Sequence, residues 1–271
     1  MLPDKSIIGT VPEQNYALGH QILNRLKQLF GDGLHNAVYA EALLYTMVLR
    51  ETSEQVASQL KFKLSNNETL SDWQQSARLR DQLKRLPADQ HLSLLEIITS
   101  VLKAQPASIK SHIIEQTGVI IAADQRTTFA EFIMQSFIVH HLAGGTPGRT
   151  INSLNKVTPH LEIILSMFAR LGTIQEEKDA DKILFNKVSQ LHYPLTPLNF
   201  RRKISGSLLA NAVRALSGLN HHLKPILIEA CLDCIKSDDK IIDKEYQLLR
   251  ITVEMLDCPM PPLAISTPTA A

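Results

Sequence analysis

The stretch Ile228–Pro262, IEACLDCIKSDDKIIDKEYQLLRITVEMLDCPMPP, decides the fold class of this chain. Two segments with the apolar spacing of a helix flank a short acidic turn. The second segment ends at Asp257-Cys258-Pro259, because proline cannot continue a helix. The stretch therefore predicts two helices joined by an acidic turn. The carboxylates of that turn are Asp238, Asp239, Asp243 and Glu245.

An earlier segment has the same layout. Asp124 and Glu131 precede Asp238 and Glu245 by the same 114 positions, and apolar positions of the flanking segments coincide under that shift. In both copies an aspartate begins the turn, and the glutamate falls in the first turn of the second helix. We therefore predict an internal repeat of two helix–turn–helix units.

The remaining chain also has helical periodicity, interrupted by proline and glycine. No segment alternates convincingly at a period of two, which would indicate a strand. The fold class we predict is all-α, a multi-helix bundle of about twelve helices. One of these helices is expected over residues 199–216, and another, shorter one over residues 53–64.

Glycine and proline also suggest the domain organisation. Residues 1–12 predict a flexible lead-in and residues 264–271 a disordered tail. The run Gly144–Gly148 contains three glycines and a proline and is the best linker in the chain. We therefore expect an N-terminal helical half, residues 13–145, and a C-terminal half, residues 146–263, each with one copy of the repeat.

Composition restricts the possible partners. The 28 basic and 27 acidic residues leave a net charge of +1, so no bulk field attracts nucleic acid. No window holds about 18 uninterrupted apolar residues, the length that a membrane span needs. Three cysteines cannot all pair with one another, which favours a reducing compartment.

The acidic turns allow two interpretations. Aspartate at a turn caps the amides that follow it, and glutamate in a first helical turn complements the helix dipole. Alternatively, Asp238, Asp239, Asp243 and Glu245 could bind a divalent cation, because hard cations take several carboxylate oxygens. The first copy retains only Asp124 and Glu131. Neither turn has the spacing of an EF-hand loop.

No other motif indicates catalysis. Cys231 and Cys234 form a C-x-x-C inside an apolar helical pattern, where buried thiols are commoner than a zinc or redox site. The pair His140-His141 fits a helix C-terminus, and Arg201-Arg202-Lys203 fits a solvated helix start. The chain lacks H-E-x-x-H, G-x-S-x-G and every glycine-rich phosphate loop. We predict no catalytic or cofactor-binding residue.

A family resemblance adds to this interpretation. The exit LDCPMPP (256–262), the preceding helix, Ala230-Cys231 and the acidic turn resemble the end of bacterial HtpX-like membrane zinc metallopeptidases. In that family a helical region similar to TerB-like domains follows the protease core. Further matching phrases are Ala42–Tyr45, Leu86–Ala88 and Leu94–Glu96, so the resemblance covers most of residues 30–263.

The resemblance implies a non-catalytic accessory or regulatory domain of such a peptidase. Its partners would be the protease core and membrane region, and its place the cytoplasmic face of the inner membrane, tethered through a parent protein. The zinc-binding H-E-x-x-H and the membrane spans of the family are missing here, and Lys240 and Ile241 replace the glycine common in TerB-like turns. The alternative function is a stand-alone TerB-like sensor of cations or ligands that uses the turn at 238–245.

Overall fold

A computed structural model describes residues 13–51, 73–123, 128–143, 150–173, 179–238, 241–258 and 260. The predicted lead-in (1–12), tail (264–271), linker (144–148) and helix 53–64 lie outside these residues. Within the described chain the fold is all-α, as predicted. Its only β-type pairing there is a single parallel bridge between Ile151 and Leu219.

Eleven α-helices make up the described chain. Six belong to its first half: α1 (Glu13–Phe30), α2 (Ala37–Glu51), α3 (Trp73–Lys84), α4 (His91–Lys103), α5 (Ala107–Ala122) and α6 (Phe129–Leu142). Five belong to its second half: α7 (Thr158–Leu171), α8 (Ala180–His192), α9 (Gly206–Ser217), α10 (Lys224–Ile235) and α11 (Asp243–Met255). None of them is both long enough and apolar enough to cross a bilayer.

The chain divides into two compact units. Residues 19–145 form one, and residues 146–271 with residues 1–18 form the other. In the first unit α2 is central and contacts α3, α4, α5 and α6. Its Leu43, Leu44 and Tyr45 are fully buried, so this helix is apolar on most of its circumference.

In the second unit α7 has the central position and contacts α8, α9, α10 and α11. The proline at its second position, Pro159, lacks an N–H where an α-helix does not need one. Its fully buried side chains form the middle of the core; they are Leu161, Ile164, Leu165, Phe168 and Ala169.

The two units share one arrangement of helices. In the first unit α4 and α5 each contact α6 and α2, as α9 and α10 each contact α11 and α7 in the second. Residue 129 begins α6, and residue 243, 114 positions later, begins α11. The correspondence between the units therefore extends beyond a hairpin to four helices around a central one in each.

The end of α11 shows why the chain leaves the helix where the sequence predicted. Asp257 adopts a left-handed backbone conformation, with φ of 55°. The amide of Cys258 then donates to the carbonyl of Val253 at 2.9 Å, which satisfies a carbonyl that the helix leaves open. Lys224 donates from Nζ to the carbonyl of Leu256 at 2.5 Å and so ties this end to α10.

The predicted helix over residues 199–216 is wrong in its first part. In the structure α9 begins at Gly206, with Ser205 as N-cap, and residues 199–202 are not helical. The amides of Asn199 and Arg201 donate to side chains of α7 rather than to helical carbonyls. Arg201 and Arg202 therefore belong to a connecting segment, not to a helix start.

Candidate functional site

The second acidic turn links α10 to α11. A short 3-10 helix, Lys236–Asp238, extends the end of α10, and α11 begins at Asp243. Glu245 is buried, and its Oε2 accepts a hydrogen bond from the amide of Ile242 at 2.8 Å. This carboxylate thus satisfies an N–H that the helix leaves without a carbonyl.

The first turn uses Glu131 in the same way. Its Oε2 accepts from the amide of Thr128 at 2.7 Å, and the amide of Glu131 donates to Thr128 Oγ1 at 3.1 Å. Together these bonds form a complete capping box. Glu131 is fully buried, and through these bonds it caps the start of α6.

Of the carboxylates in the cation hypothesis, the structure describes the side chains of Glu131, Asp243 and Glu245. Glu131 and Glu245 face inward as caps, while Asp243 is half-buried at the start of α11. Asp124 and Asp239 lie outside the described residues, and only the backbone of Asp238 is described. Among the described residues, no group of three or more His, Cys, Asp or Glu side chains is placed to hold a metal ion.

The two caps differ in one residue, which leads to a prediction. Ile242 occupies the position of Thr128 and has the same extended backbone, but its side chain has no acceptor. Ile242→Thr should complete the second capping box and raise the free energy of unfolding by about 0.5–1 kcal/mol. Urea denaturation of the purified chain measures this difference.

The matched control is Ile242→Val, because valine has the shape of threonine without the hydroxyl. Ile242 is half-exposed, so the loss of one methyl group alone should change stability little. Equal stabilities for the threonine and valine variants would show that the hydroxyl does not cap α11.

The C-x-x-C pair is buried inside α10. Cys231 and Cys234 are both free thiols with no exposed surface. Burial raises the pKa of Cys231 well above its usual range, and burial together with the charges of Asp233 and Glu245 does the same for the pKa of Cys234. Burial thus favours the protonated thiols over the thiolate that redox chemistry needs.

Cysteine labelling tests this assignment. In the folded protein we expect iodoacetamide to modify Cys258 and to leave Cys231 and Cys234 unmodified, as read by mass spectrometry. Cys258 is half-buried, and burial raises the pKa of its thiol. Its labelling should therefore accelerate as the pH rises above the usual pKa of a cysteine thiol. In denaturant all three thiols should react. Rapid native labelling of the α10 pair would contradict their placement in the core.

Three of the histidines lie in the last turn of a helix. His140 and His141 lie in the last turn of α6, as predicted, with ring centroids 5.0 Å apart. Sequence analysis missed His192, whose Nε2 lies 2.7 Å from Asp233 Oδ2 and links the end of α8 to α10. The two residues are 41 positions apart. No local pattern connects them, so only the fold could identify the pair.

A second polar network was also missed, and it is the most extensive one in the second unit. Glu162 of α7 is buried, and its Oε1 accepts from the backbone amide and the side-chain amide of Asn199 at 2.9 and 3.1 Å. Its Oε2 accepts from Nε of Arg201 at 2.8 Å and from Nη2 of the same guanidinium. We call residues 199–202 the strap.

Further contacts hold the strap along α7. Ser166 Oγ accepts from the amide of Arg201 at 2.8 Å, and Arg170 donates to the carbonyls of Arg201 and Arg202 at 3.0 and 2.7 Å. Glu162, Ser166 and Arg170 are spaced at i, i+4 and i+8, so they form one stripe of the helix. This polar stripe on an otherwise apolar helix was the sequence pattern that could have indicated the network.

Comparison with known protein families, curated proteins and solved structures found no match to this chain. Its buried carboxylates bind backbone amides and a guanidinium, its thiols are enclosed in the core, and its histidines end helices. These groups stabilise a helical scaffold.

Proposed function

We propose that this chain is a non-catalytic interaction domain. The observation that supports this proposal best is the use of the buried carboxylates at the turns. Glu131 and Glu245, the residues that recur in both copies, each cap a helix instead of facing a ligand. What the two units have in common is thus a rigid helical framework, which suits protein docking.

On the resemblance of the LDCPMPP exit and its helix, we further propose that the domain serves an HtpX-like membrane zinc metallopeptidase. It would regulate the protease core or bring partners to it at the cytoplasmic face of the membrane. The zinc and the catalytic residues would belong to the peptidase, and this chain would supply helical surfaces.

Reconstitution tests this function. The purified chain is added to an HtpX-like peptidase core in detergent, and complex formation and casein hydrolysis are measured with zinc present. We expect a saturable complex and at least a two-fold change in the rate of hydrolysis. We expect no hydrolysis by the chain alone. Failure to form a complex, or hydrolysis by the isolated chain, would refute the proposal.

The second candidate, a cation-sensing TerB-like module, rests on Asp243, which is half-buried beside the acidic turn. A titration with calcium, magnesium, manganese and zinc separates the two functions. Because Glu245 is committed to the amide of Ile242, we expect no cation to raise the melting temperature measurably. A saturable increase that Asp243→Asn abolishes and Lys244→Gln retains would favour the sensor instead.

A further inference from the structure

The outer face of α8 carries an exposed apolar surface. Ile183 is 63% exposed, Leu191 is 65% exposed, and Leu195, in the turn that follows the helix, is 93% exposed. Ile183, Lys187 and Leu191 are spaced at i, i+4 and i+8 and so form one ridge of the helix. The opposite side of α8 packs on α7 and α10 through buried Leu184, Phe185 and Val188. We call the exposed side the α8 face.

The exposed charged residues of the α8 face are all positive. Its exposed charged residues are Lys182 and Lys187, and its other exposed polar residues are Asn186 and Gln190. The acidic residue of α8, Asp181, is half-buried with its Oδ2 3.9 Å from Nε of Arg170. A partner that covers the face would therefore gain from carboxylates placed beside its apolar residues.

The first unit contains a helix that corresponds to α8. The helix that contacts α2 as α8 contacts α7 is α3, and from Ala77 onward its exposed face is charged at Arg78, Asp81 and Lys84. A further helix, α1, adjoins α3, because the side-chain amide of Gln82 donates to the carbonyl of Leu29. Ile22, Leu26 and Phe30 of α1 are buried.

Residues 13–18 of α1 group with the second unit, but among the described residues no long helix directly precedes α7. Residues 150–157, which precede α7, form a loop and the short 3-10 helix Leu154–Val157 instead of a long helix. The α8 face is thus exposed in the second unit. Grouped exposed apolar side chains mark candidate interaction sites, and anchors at helical spacing suit an amphipathic helix.

We propose that the α8 face docks an amphipathic helix of a partner protein, whose apolar residues meet Ile183, Leu191 and Leu195. Acidic residues on that helix would lie beside Lys182 and Lys187. This inference deepens the proposed interaction function, and it names the surface and the chemistry of the partner.

The observations favour a partner helix over the other possible occupants. In a symmetric dimer of this chain through the α8 face, Lys187 would lie near the Lys187 of the second copy, and like charges would oppose pairing. An anionic membrane would gain only about 1 kcal/mol from each lysine, too little for stable attachment by two. An acidic helix satisfies both the apolar ridge and the lysines.

A designed peptide tests the proposal. The probe is a fluorescein-labelled 18-residue helical peptide with leucines at helical spacing on one side and glutamates flanking them. A control peptide carries lysine at every glutamate position. Fluorescence anisotropy should show saturable binding of the acidic peptide to the full chain, with Kd on the order of 10 µM. The lysine peptide should bind at least ten times more weakly.

Variants locate the binding surface. Ile183→Ser combined with Leu191→Ser should weaken binding of the acidic peptide at least ten-fold, because both apolar contacts are lost. Val119→Ser, at an exposed valine of α5, is the matched control and should leave binding unchanged. Lys187→Glu should weaken the acidic peptide and strengthen the lysine peptide. Since these side chains are exposed, thermal melting should be retained in every variant.

Four outcomes would overturn the proposal. They are absence of acidic-peptide binding, binding that the α8 variants leave unchanged, flotation with phosphatidylglycerol vesicles that the double variant abolishes, and dimerisation in sedimentation that the double variant abolishes. Peptide binding together with failure to bind the HtpX-like core would reject only the peptidase function. Core binding that the double variant leaves intact would reject only the role of the α8 face as the docking site.

Discussion

Gly172→Ala should lower the free energy of unfolding of this chain by about 3 kcal/mol, at the upper end of the cost of overpacking. Gly172 ends α7, and a Cβ added there would lie 2.4 Å from the carbonyl oxygen of Cys234 in α10. That oxygen belongs to the backbone, so no side-chain rotation can relieve the clash. The helices themselves would have to separate.

The cost of separating the helices is raised by a neighbouring bond. Ser237 Oγ donates to the carbonyl of Gly172 at 2.6 Å, and this bond depends on the same close approach. Differential scanning calorimetry should show a melting temperature lower by roughly 6–12 °C for a loss of that size. Labelling of Cys234 by iodoacetamide should also become detectable, because a displaced α10 exposes its thiol.

Gly118→Ala is the control for the added methyl group. Gly118 lies inside α5, and a Cβ built there meets no atom within 4 Å. Alanine in a helix interior is more favourable than glycine by about 0.5–1 kcal/mol, so this variant should be stabilised. Equal effects of the two substitutions, in either direction, would show that the approach of α7 to α10 is not tight.

Glu162→Ala should have the second largest effect, a loss of about 2 kcal/mol. The variant removes hydrogen bonds to a charged acceptor, each commonly worth about 1.5–3 kcal/mol. The total is smaller than their sum because Arg201 has a half-exposed side chain and Asn199 is exposed, so water replaces part of what they lose. The strap should then detach from α7 while the rest of the unit stays folded.

Hydrogen exchange gives a readout that is local to the strap. The amides of Asn199 and Arg201 donate to Glu162 and Ser166, so both should lose protection in Glu162→Ala. Ser166→Ala should deprotect only Arg201 and cost about 1 kcal/mol. Glu115→Ala, at an exposed glutamate, should stay within about 0.5 kcal/mol of the native chain. Unchanged protection in Glu162→Ala would mean that other contacts hold the strap.

Sequence reasoning located the second repeat hairpin because its signals are local. The end of α11 just before Asp257 and the first-turn positions of Glu131 and Glu245 depend on residues within a few positions of one another. A helix begins and ends through such neighbours, so the sequence alone contains the information. Because the corresponding residues are 114 positions apart, the prediction for one hairpin could be applied to the other.

The same reasoning failed at residues 199–205. Ile204, Leu208 and Leu209 have helical spacing, and local preference alone would start the helix before Ser205. Glu162 and Ser166, more than 30 positions away, take the amides of the strap and keep it out of a helix. Arg201 thus became part of an ion pair with a buried glutamate, where the sequence suggested a solvated face.

The sequence by itself determined that the described chain is helical and that Glu131 and Glu245 lie in the first turn of a helix. Periodicity and caps act within one or two helical turns, so neighbouring residues suffice to specify them. Only the tertiary structure decided that those glutamates are buried, that α2 and α7 are central, and that the α8 face is exposed. Burial depends on contacts between residues distant in sequence, and no local pattern specifies those contacts.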